Sequence, residues 1–143
     1  MKSIRLIDWQ DTMPLRHKVL WPEKPIAFCK VEDDETATHY GYFIDNKLVC
    51  VASIFIDGAS ARLRKFATLP EYQGQGIGTQ VIQQALKDLE KKAVNYFWCD
   101  ARESAAGFYE KFGMRPQGER FYKGDIPYFK MGVDLINQSY KLN

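Results

Sequence analysis

Between Gln73 and Gly78 the chain places glycine at every second position, Gly74, Gly76 and Gly78, just ahead of a segment with helical periodicity. Successive backbone N–H groups in such a bend can converge on one point, and the start of the helix adds its positive end. The chemistry on offer is therefore the holding of anionic oxygens, those of a phosphate or pyrophosphate. Glycine suits that task because a Cβ would keep the phosphate away from the main chain. Glycine-rich bends also serve as plain turns, and without the flanks the two readings are even. The flanks exclude two nucleotide-binding patterns. A P-loop needs Lys followed by Ser or Thr after the last Gly, where this chain has Thr79-Gln80. A dinucleotide fingerprint needs G-x-G-x-x-G after the first strand of a parallel sheet, whereas here the spacing is G-x-G-x-G after strands that read as antiparallel.

The elements around this bend follow from apolar spacing. Ile77, Val81, Ile82, Ala85, Leu86 and Leu89 predict the strongest helix of the chain. Upstream, Ile4 to Ile7 reads as a strand. Asp11-Thr12 are expected to cap a helix with Pro14 near its first turn, and Leu15, Val19 and Leu20 to share one face before Pro22 and Pro25 end it. The four acids Glu32-Asp33-Asp34-Glu35 read as a solvated loop, with an acidic rim for a cationic substrate as the sharper alternative. Tyr40 to Ile44, Leu48 to Ile56 and Ala61 to Thr68, separated by turns at Asp45-Asn46-Lys47 and Asp57-Gly58-Ala59-Ser60, predict a three-stranded antiparallel meander. Tyr96 to Cys99 is apolar throughout and reads as a strand buried on both faces, so strand, helix and strand imply a parallel pairing. Ser104 is a candidate cap for a second helix carrying Ala105, Phe108, Tyr109 and Phe112 and stopped by Gly113. Gln117 to Lys123 and Pro127 to Leu135 read as two more strands. The class is mixed α/β.

At 143 residues, with 45% hydrophobic, 14% aromatic and 27% charged content, the chain is expected to form one folded domain over 1–143. Twenty Lys and Arg against eighteen Asp and Glu give a net charge of +2, which favours neither a nucleic-acid backbone nor an anionic membrane. The run Leu48 to Ile56, broken by Ser53, is far short of the ~20 residues that cross a bilayer. The N-terminus lacks the pattern of a secretory signal, so a cytoplasmic location is expected. Cys29, Cys50 and Cys99 have no C-x-x-C spacing and are expected to be reduced thiols, with no metal site. Asn137-Gln138-Ser139 then matches a glycosylation acceptor only by accident.

The segment Gln73-Gly74-Gln75-Gly76-Ile77-Gly78 resembles the Gln/Arg-x-x-Gly-x-Gly/Ala phosphate loop of the GNAT superfamily of N-acetyltransferases. Ala105-Ala106-Gly107-Phe108-Tyr109-Glu110-Lys111-Phe112-Gly113-Met114 is similar to the family's A-x-x-F-Y-x-x-x-G-F helix, with Met last. Leu15 to Leu20 followed by Trp21-Pro22 resembles the first helix of small bacterial members. Gly124-Asp125-Ile126-Pro127-Tyr128-Phe129-Lys130-Met131 resembles the G-I-P-H-x-x-M ending of the ElaA-like branch, with Tyr128 at the His position and Asp125 inserted.

The resemblance implies a GNAT-like fold: an antiparallel N-terminal meander joined to a β-α-β acetyl-CoA-binding core, one layer of sheet flanked by helices. It implies transfer of acetyl from acetyl-CoA, the co-substrate, to a primary amine on a small molecule or peptide, by direct attack in a ternary complex. The pyrophosphate would lie on the backbone of Gln75, Gly76, Gly78 and Thr79, with Gln73, Gly74 and Ile77 completing the loop. Phe66-Ala67-Thr68 would pair with the pantetheine arm, and the N–H near Ala67 would face the carbonyl oxygen. Tyr109 would protonate the leaving thiolate, whereas its spacing alone reads as a core aromatic. Asp100 and Glu103 are each candidates for the base and for a helix cap. His17 and His39 read as structural, and Arg64 and Arg102 as candidates for anionic groups or plain surface. The protein is expected to be a monomer or homodimer. The alternative is a non-catalytic CoA- or nucleotide-binding sensor module, which would keep the glycine loop and need no acid at Tyr109.

Overall fold

Asp45 and Asn46 both adopt left-handed backbone angles, φ 49° and 68°, in a two-residue turn that joins strands β2 (Thr38–Ile44) and β3 (Lys47–Asp57). That conformation matches the twist of a tight hairpin, and Asn and Asp adopt it at low cost. The computed structural model describes residues 1–136; Asn137-Gln138-Ser139 lies outside them. The other elements are β1 (Lys2–Ile7), α1 (Trp9–Leu20), β4 (Ser60–Thr68), α2 (Ile77–Leu89), β5 (Tyr96–Arg102), α3 (Ala106–Glu110), β6 (Arg115–Pro116), β7 (Phe121–Lys123) and β8 (Ile126–Asp134). Among the described residues they form an eight-stranded mixed sheet in the order β1-β2-β3-β4-β5-β8-β6, with β7 also on β8. The fold is the expected mixed α/β, a single sheet flanked by helices.

By contacts the described residues divide into two compact units, one of 1–55 with 63–91 and one of 56–62 with 92–136. In the first unit β1 runs antiparallel to β2 from Lys2↔Ile44 to Ile7↔His39, and β2 antiparallel to β3. Helix α2 buries the six apolar residues its spacing predicts, Ile77, Val81, Ile82, Ala85, Leu86 and Leu89. Two tyrosines of β2 tie down its polar side: the Tyr40 hydroxyl donates to Asp88 Oδ2 at 2.7 Å and the Tyr42 hydroxyl to Gln80 Oε1 at 3.4 Å. Helix α1 begins earlier than Asp11-Thr12 suggest. Asp8 precedes the first turn, the Asp8 N–H donates to Asp11 Oδ2, and Pro14 falls inside the helix.

The acidic run is not simply solvated. Asp34 and Arg16 are fully buried, at 0% exposure, and form a two-pronged ion pair, Nη1 to Oδ2 at 2.8 Å and Nη2 to Oδ1 at 2.9 Å. Arg16 also donates to the Cys29 carbonyl and to Ser53 Oγ, and Asp34 accepts the Val31 N–H. His39 Nε2 faces the Asp34 carbonyl at 2.8 Å, which can only accept, so this nitrogen carries the proton; Nδ1 faces Ser53 Oγ at 2.7 Å. His39 is therefore structural, as expected. Burial opposes ionisation of Asp34, yet the hydrogen bonds from Arg16 and Val31 and the nearby positive charge outweigh it and hold the carboxyl below its usual range.

A group depressed in the folded state stabilises above its unfolded pKa, about 3.9 for Asp, and loses that contribution as pH falls through the folded value. Asp34→Ala is expected to destabilise the protein by about 3–5 kcal/mol, because it leaves the Arg16 charge buried and unpaired. Joint replacement, Arg16→Met with Asp34→Leu, is expected to cost far less. Urea unfolding of the three proteins measures both effects; equal losses would contradict the pairing.

In the second unit β4 enters through Ser60–Arg62, which pair in parallel with β5 at Ser60↔Tyr96, Ala61↔Phe97 and Arg62↔Trp98. Strand β5 runs antiparallel to β8 from Tyr96↔Asp134 to Arg102↔Tyr128. It is not buried on both faces: Phe97, Cys99 and Ala101 are buried while Tyr96, Trp98 and Asp100 are half-buried. Of the expected strand Gln117 to Lys123 only Phe121–Lys123, β7, is a strand, because Gly118 turns left-handed at φ 88°; the two-residue β6 lies ahead of it. Ser104 is not a cap. A 3-10 turn over Glu103–Ala105 leads directly into the short α3, which ends at Glu110, so that Ala105 and Phe112 lie outside it and the left-handed Gly113, φ 83°, follows three residues after its end rather than stopping it.

Candidate active site

The bend before α2 has the backbone an anion nest needs. Gly74 and Gly76 are left-handed at φ 76° and 80°, and nothing lies within 4 Å of where a Cβ would stand at either. Gly76 is the residue before α2, and no side chain caps the helix. Gln80 N–H bonds the Gly76 carbonyl, and the amides of Ile77 and Gly78 lie in the first turn, where no carbonyl four residues back belongs to the helix. Ile77 turns its side chain into the core and leaves its backbone at the bend. The bend is braced from behind, since Gln73 Nε2 donates to the Thr68 carbonyl at 3.0 Å and Gln75 Nε2 to the Glu71 carbonyl at 3.2 Å. The first of these bonds joins the end of β4 to the bend. The loop thus fits a diphosphate: an exposed, uncapped, 13-residue helix start with room against its backbone.

Phe66, Ala67 and Thr68 close β4 in the first unit. Ala67 is buried and its neighbours are half-buried. The Thr68 hydroxyl donates to Cys50 Sγ at 3.2 Å, and the Leu69 N–H to the Val49 carbonyl, which fixes this end of the strand. Burial pushes the Cys50 thiol up to about 11, so Cys50 stays protonated at neutral pH. Just before these residues Lys65 is left-handed, at φ 54°, in mid-strand. For a residue with a Cβ this costs about 1–2 kcal/mol and breaks the regular pleat. Lysine carries no sequence signal for such a conformation.

The second unit holds Tyr109 and Asp100, the residues expected to do acid–base work. Tyr109 is buried, 9% exposed, in edge contact with Phe108, and its hydroxyl donates to Cys99 Sγ. Burial, then the adjacent Cys99, raises the Tyr109 pKa well above the ordinary tyrosine value. Burial likewise pushes the Cys99 thiol up to about 12. Tyr109 is therefore both a core aromatic and a protonated donor. Asp100 Oδ2 receives Arg62 Nη2 at 3.0 Å and lies 3.9 Å from Lys123 Nζ, with the Arg62 guanidinium stacked 4.5 Å from the Trp98 ring centre. Glu103 is held by Arg120, and Arg102 is exposed. The sequence did not point to Cys99 as the partner of Tyr109 or to Arg62 as that of Asp100; alternation along β5, read from Phe97, would have separated Cys99 from Asp100. Among the described residues no cluster of His, Cys, Asp or Glu is suited to a metal ion, and no helix is long and apolar enough to cross a membrane.

A family model described as an acetyltransferase (GNAT) domain matches residues 22–135. The chain belongs to the GNAT acetyltransferase family. It is 35% identical over 136 residues to the uncharacterized N-acetyltransferase YitI of Bacillus subtilis (strain 168), covering 89% of each chain. Its fold is that of Escherichia coli ElaA, with a TM-score of 0.81, 17% identity and coverage of 94% of this chain and 100% of that one. It is also that of a GNAT family acetyltransferase from Elizabethkingia anophelis solved with acetyl-CoA bound, with a TM-score of 0.70, 15% identity and coverage of 94% and 98%. The protein is an N-acetyltransferase with acetyl-CoA as co-substrate, and the comparisons give the sensor-module alternative no support.

Proposed function

We propose that the protein works as one domain that acetylates a primary amine by direct attack, holding the diphosphate of acetyl-CoA at the bend before α2. The observation that carries this reading is the pair of left-handed glycines, Gly74 and Gly76, at an uncapped helix start. A single family model running across both units supports treating them as one working domain. Acetyl-CoA supplies the electrophilic carbonyl and a thiolate leaving group. The amides of Gln75, Gly76, Gly78 and Thr79 grip the phosphates, with Gln73, Gly74 and Ile77 shaping the loop. Phe66, Ala67 and Thr68 lie outside the β4–β5 pairing, and their main chain aligns the pantetheine arm; the Ala67 N–H donates to the carbonyl oxygen as charge develops there.

Tyr109 gives its proton to the departing sulfur. A phenol of raised pKa is a poor donor to an ordinary thiolate, but burial that pushes the Cys99 thiol to about 12 would make a departing thiolate in like surroundings more basic too. The attacking amine must shed a proton, and its ordinary pKa of roughly 10.4 far exceeds that of a carboxylate. Asp100, paired with Arg62, is therefore assigned to orient a water through which this proton passes on to bulk solvent and buffer, rather than to keep the proton itself. The setting is cytoplasmic and the acceptor a small molecule or peptide. Thiol release from acetyl-CoA should depend on added primary amine; a protein that binds CoA yet releases no thiol across a broad amine panel would contradict the reading.

A further inference from the structure

Beside β4 in the first unit lies a cavity of about 290 Å³ that the mechanism above does not use. Trp21 and Phe28 form one wall, with ring centres 5.3 Å apart in an edge-to-face contact, and Lys30, Glu32, Arg64 and Lys65 supply the polar lining. Its size is at the lower end of small-molecule sites, about 300–1,000 Å³, which suits one small acceptor rather than a length of folded chain. Phe28 is 52% exposed, an aromatic surface that a ligand could cover. Three cations against one carboxylate make the lining positive overall, even with Lys30 paired to Glu35 and Lys65 lying 4.1 Å over the Trp21 ring.

Two further observations make this more than a surface dent. Arg64 and Lys65 directly precede Phe66–Thr68, so the cavity abuts the strand segment assigned to the thioester arm. Its loop wall is also pinned from beneath by the buried ion pair: Arg16 donates to the Cys29 carbonyl and Asp34 accepts the Val31 N–H, on either side of Lys30. A buried ion pair spent on shaping a loop fits a preformed site, which spares a ligand the cost of ordering it.

We infer that this cavity binds the acetyl acceptor and that the acceptor is of amino-acid type: a primary amine that also carries a carboxylate and an aromatic or broad apolar side chain. Arg64, Lys65 and Lys30 take the carboxylate, Trp21 and Phe28 the side chain, and Glu32 accepts an N–H of the amine. The surrounding cations also disfavour the ammonium form and so help present the amine neutral. The inference rests on the acyl-transfer reading, and its test separates the two.

Calorimetry on the CoA-loaded protein, at a pH alkaline enough for both amines to be neutral, would compare L-phenylalanine with L-phenylalaninamide, in which an uncharged carboxamide replaces the carboxylate. The free acid is expected to bind about tenfold or more tightly, as loss of a charged hydrogen-bonding group implies. That preference should shrink in Arg64→Gln and Lys65→Gln, while Trp21→Ala should weaken both ligands. Equal binding of the two, or tighter binding of the amide, would overturn the assignment, as would a preference unchanged in both charge variants. Thiol release is measured in parallel. Release with polyamines but no preference for the free acid removes the pocket assignment and keeps the enzyme; preferential binding of the free acid without release from any amine does the reverse.

Discussion

A Gly76→Glu protein is expected to fold and to lose CoA binding altogether. Gly76 is left-handed, φ 80°, and a Cβ there meets nothing within 4 Å, so the substitution clashes with no neighbour. What it adds is local strain, about 1–2 kcal/mol for a left-handed residue with a side chain, and a carboxylate at the mouth of the nest. That charge competes for the same amides the diphosphate needs and repels the phosphates at short range. Gly76→Ala separates the two effects, since it carries the strain without the charge. Calorimetric titration with CoA should show weakened but measurable binding to the alanine variant and none to the glutamate variant. Comparable binding to both would mean that the diphosphate lies elsewhere.

Tyr109→Phe is expected to lower kcat by roughly 10²–10⁴, the usual worth of a positioned acid, while leaving CoA affinity within a few-fold. The ring is retained, so packing against Phe108 persists; only the hydroxyl that donates to Cys99 is lost. Removing that single hydrogen bond costs about 1 kcal/mol of stability, too little to unfold a typical domain. The pH dependence follows from the direction of the shift. Because the Tyr109 pKa lies above the ordinary value near 10, the group stays protonated up to at least that pH, and its ionisation should cause no alkaline fall in rate below it. Stopped-flow thiol release across pH measures both, and an unchanged kcat in the phenylalanine variant would remove Tyr109 from the chemistry.

Much of the scaffold was legible because local signals and tertiary packing agree. The six apolar residues of α2 form one buried face, and the turn at Asp45-Asn46 combines a pattern with a backbone requirement that few residue types meet. The parallel pairing of β4 with β5 followed from strand, helix and strand order alone. What escaped was set by contacts distant in sequence. Asp34 sits in an acidic run that looks solvated, and only the fold brings Arg16 to it. The Cys99–Tyr109 and Arg62–Asp100 pairs depend on which face of β5 turns inward, and four apolar residues in a row, Tyr96 to Cys99, hide that face. The strand expected over Gln117 to Lys123 failed at Gly118, a turn signal outweighed by its polar and aromatic neighbours. At the site itself, the glycines could be read from the chain because their chemistry is that of the backbone. The left-handed Lys65 could not, since nothing in its side chain favours that conformation.

Backbone amide resonances tested with two ligands address the central claim most directly. In a ¹⁵N-labelled protein titrated with CoA, the amides of Gly74, Gly76 and Gly78 should shift strongly, whereas pantetheine, which lacks the diphosphate, should leave them near their free positions. CoA bound to saturation with those three glycines unmoved would contradict the account.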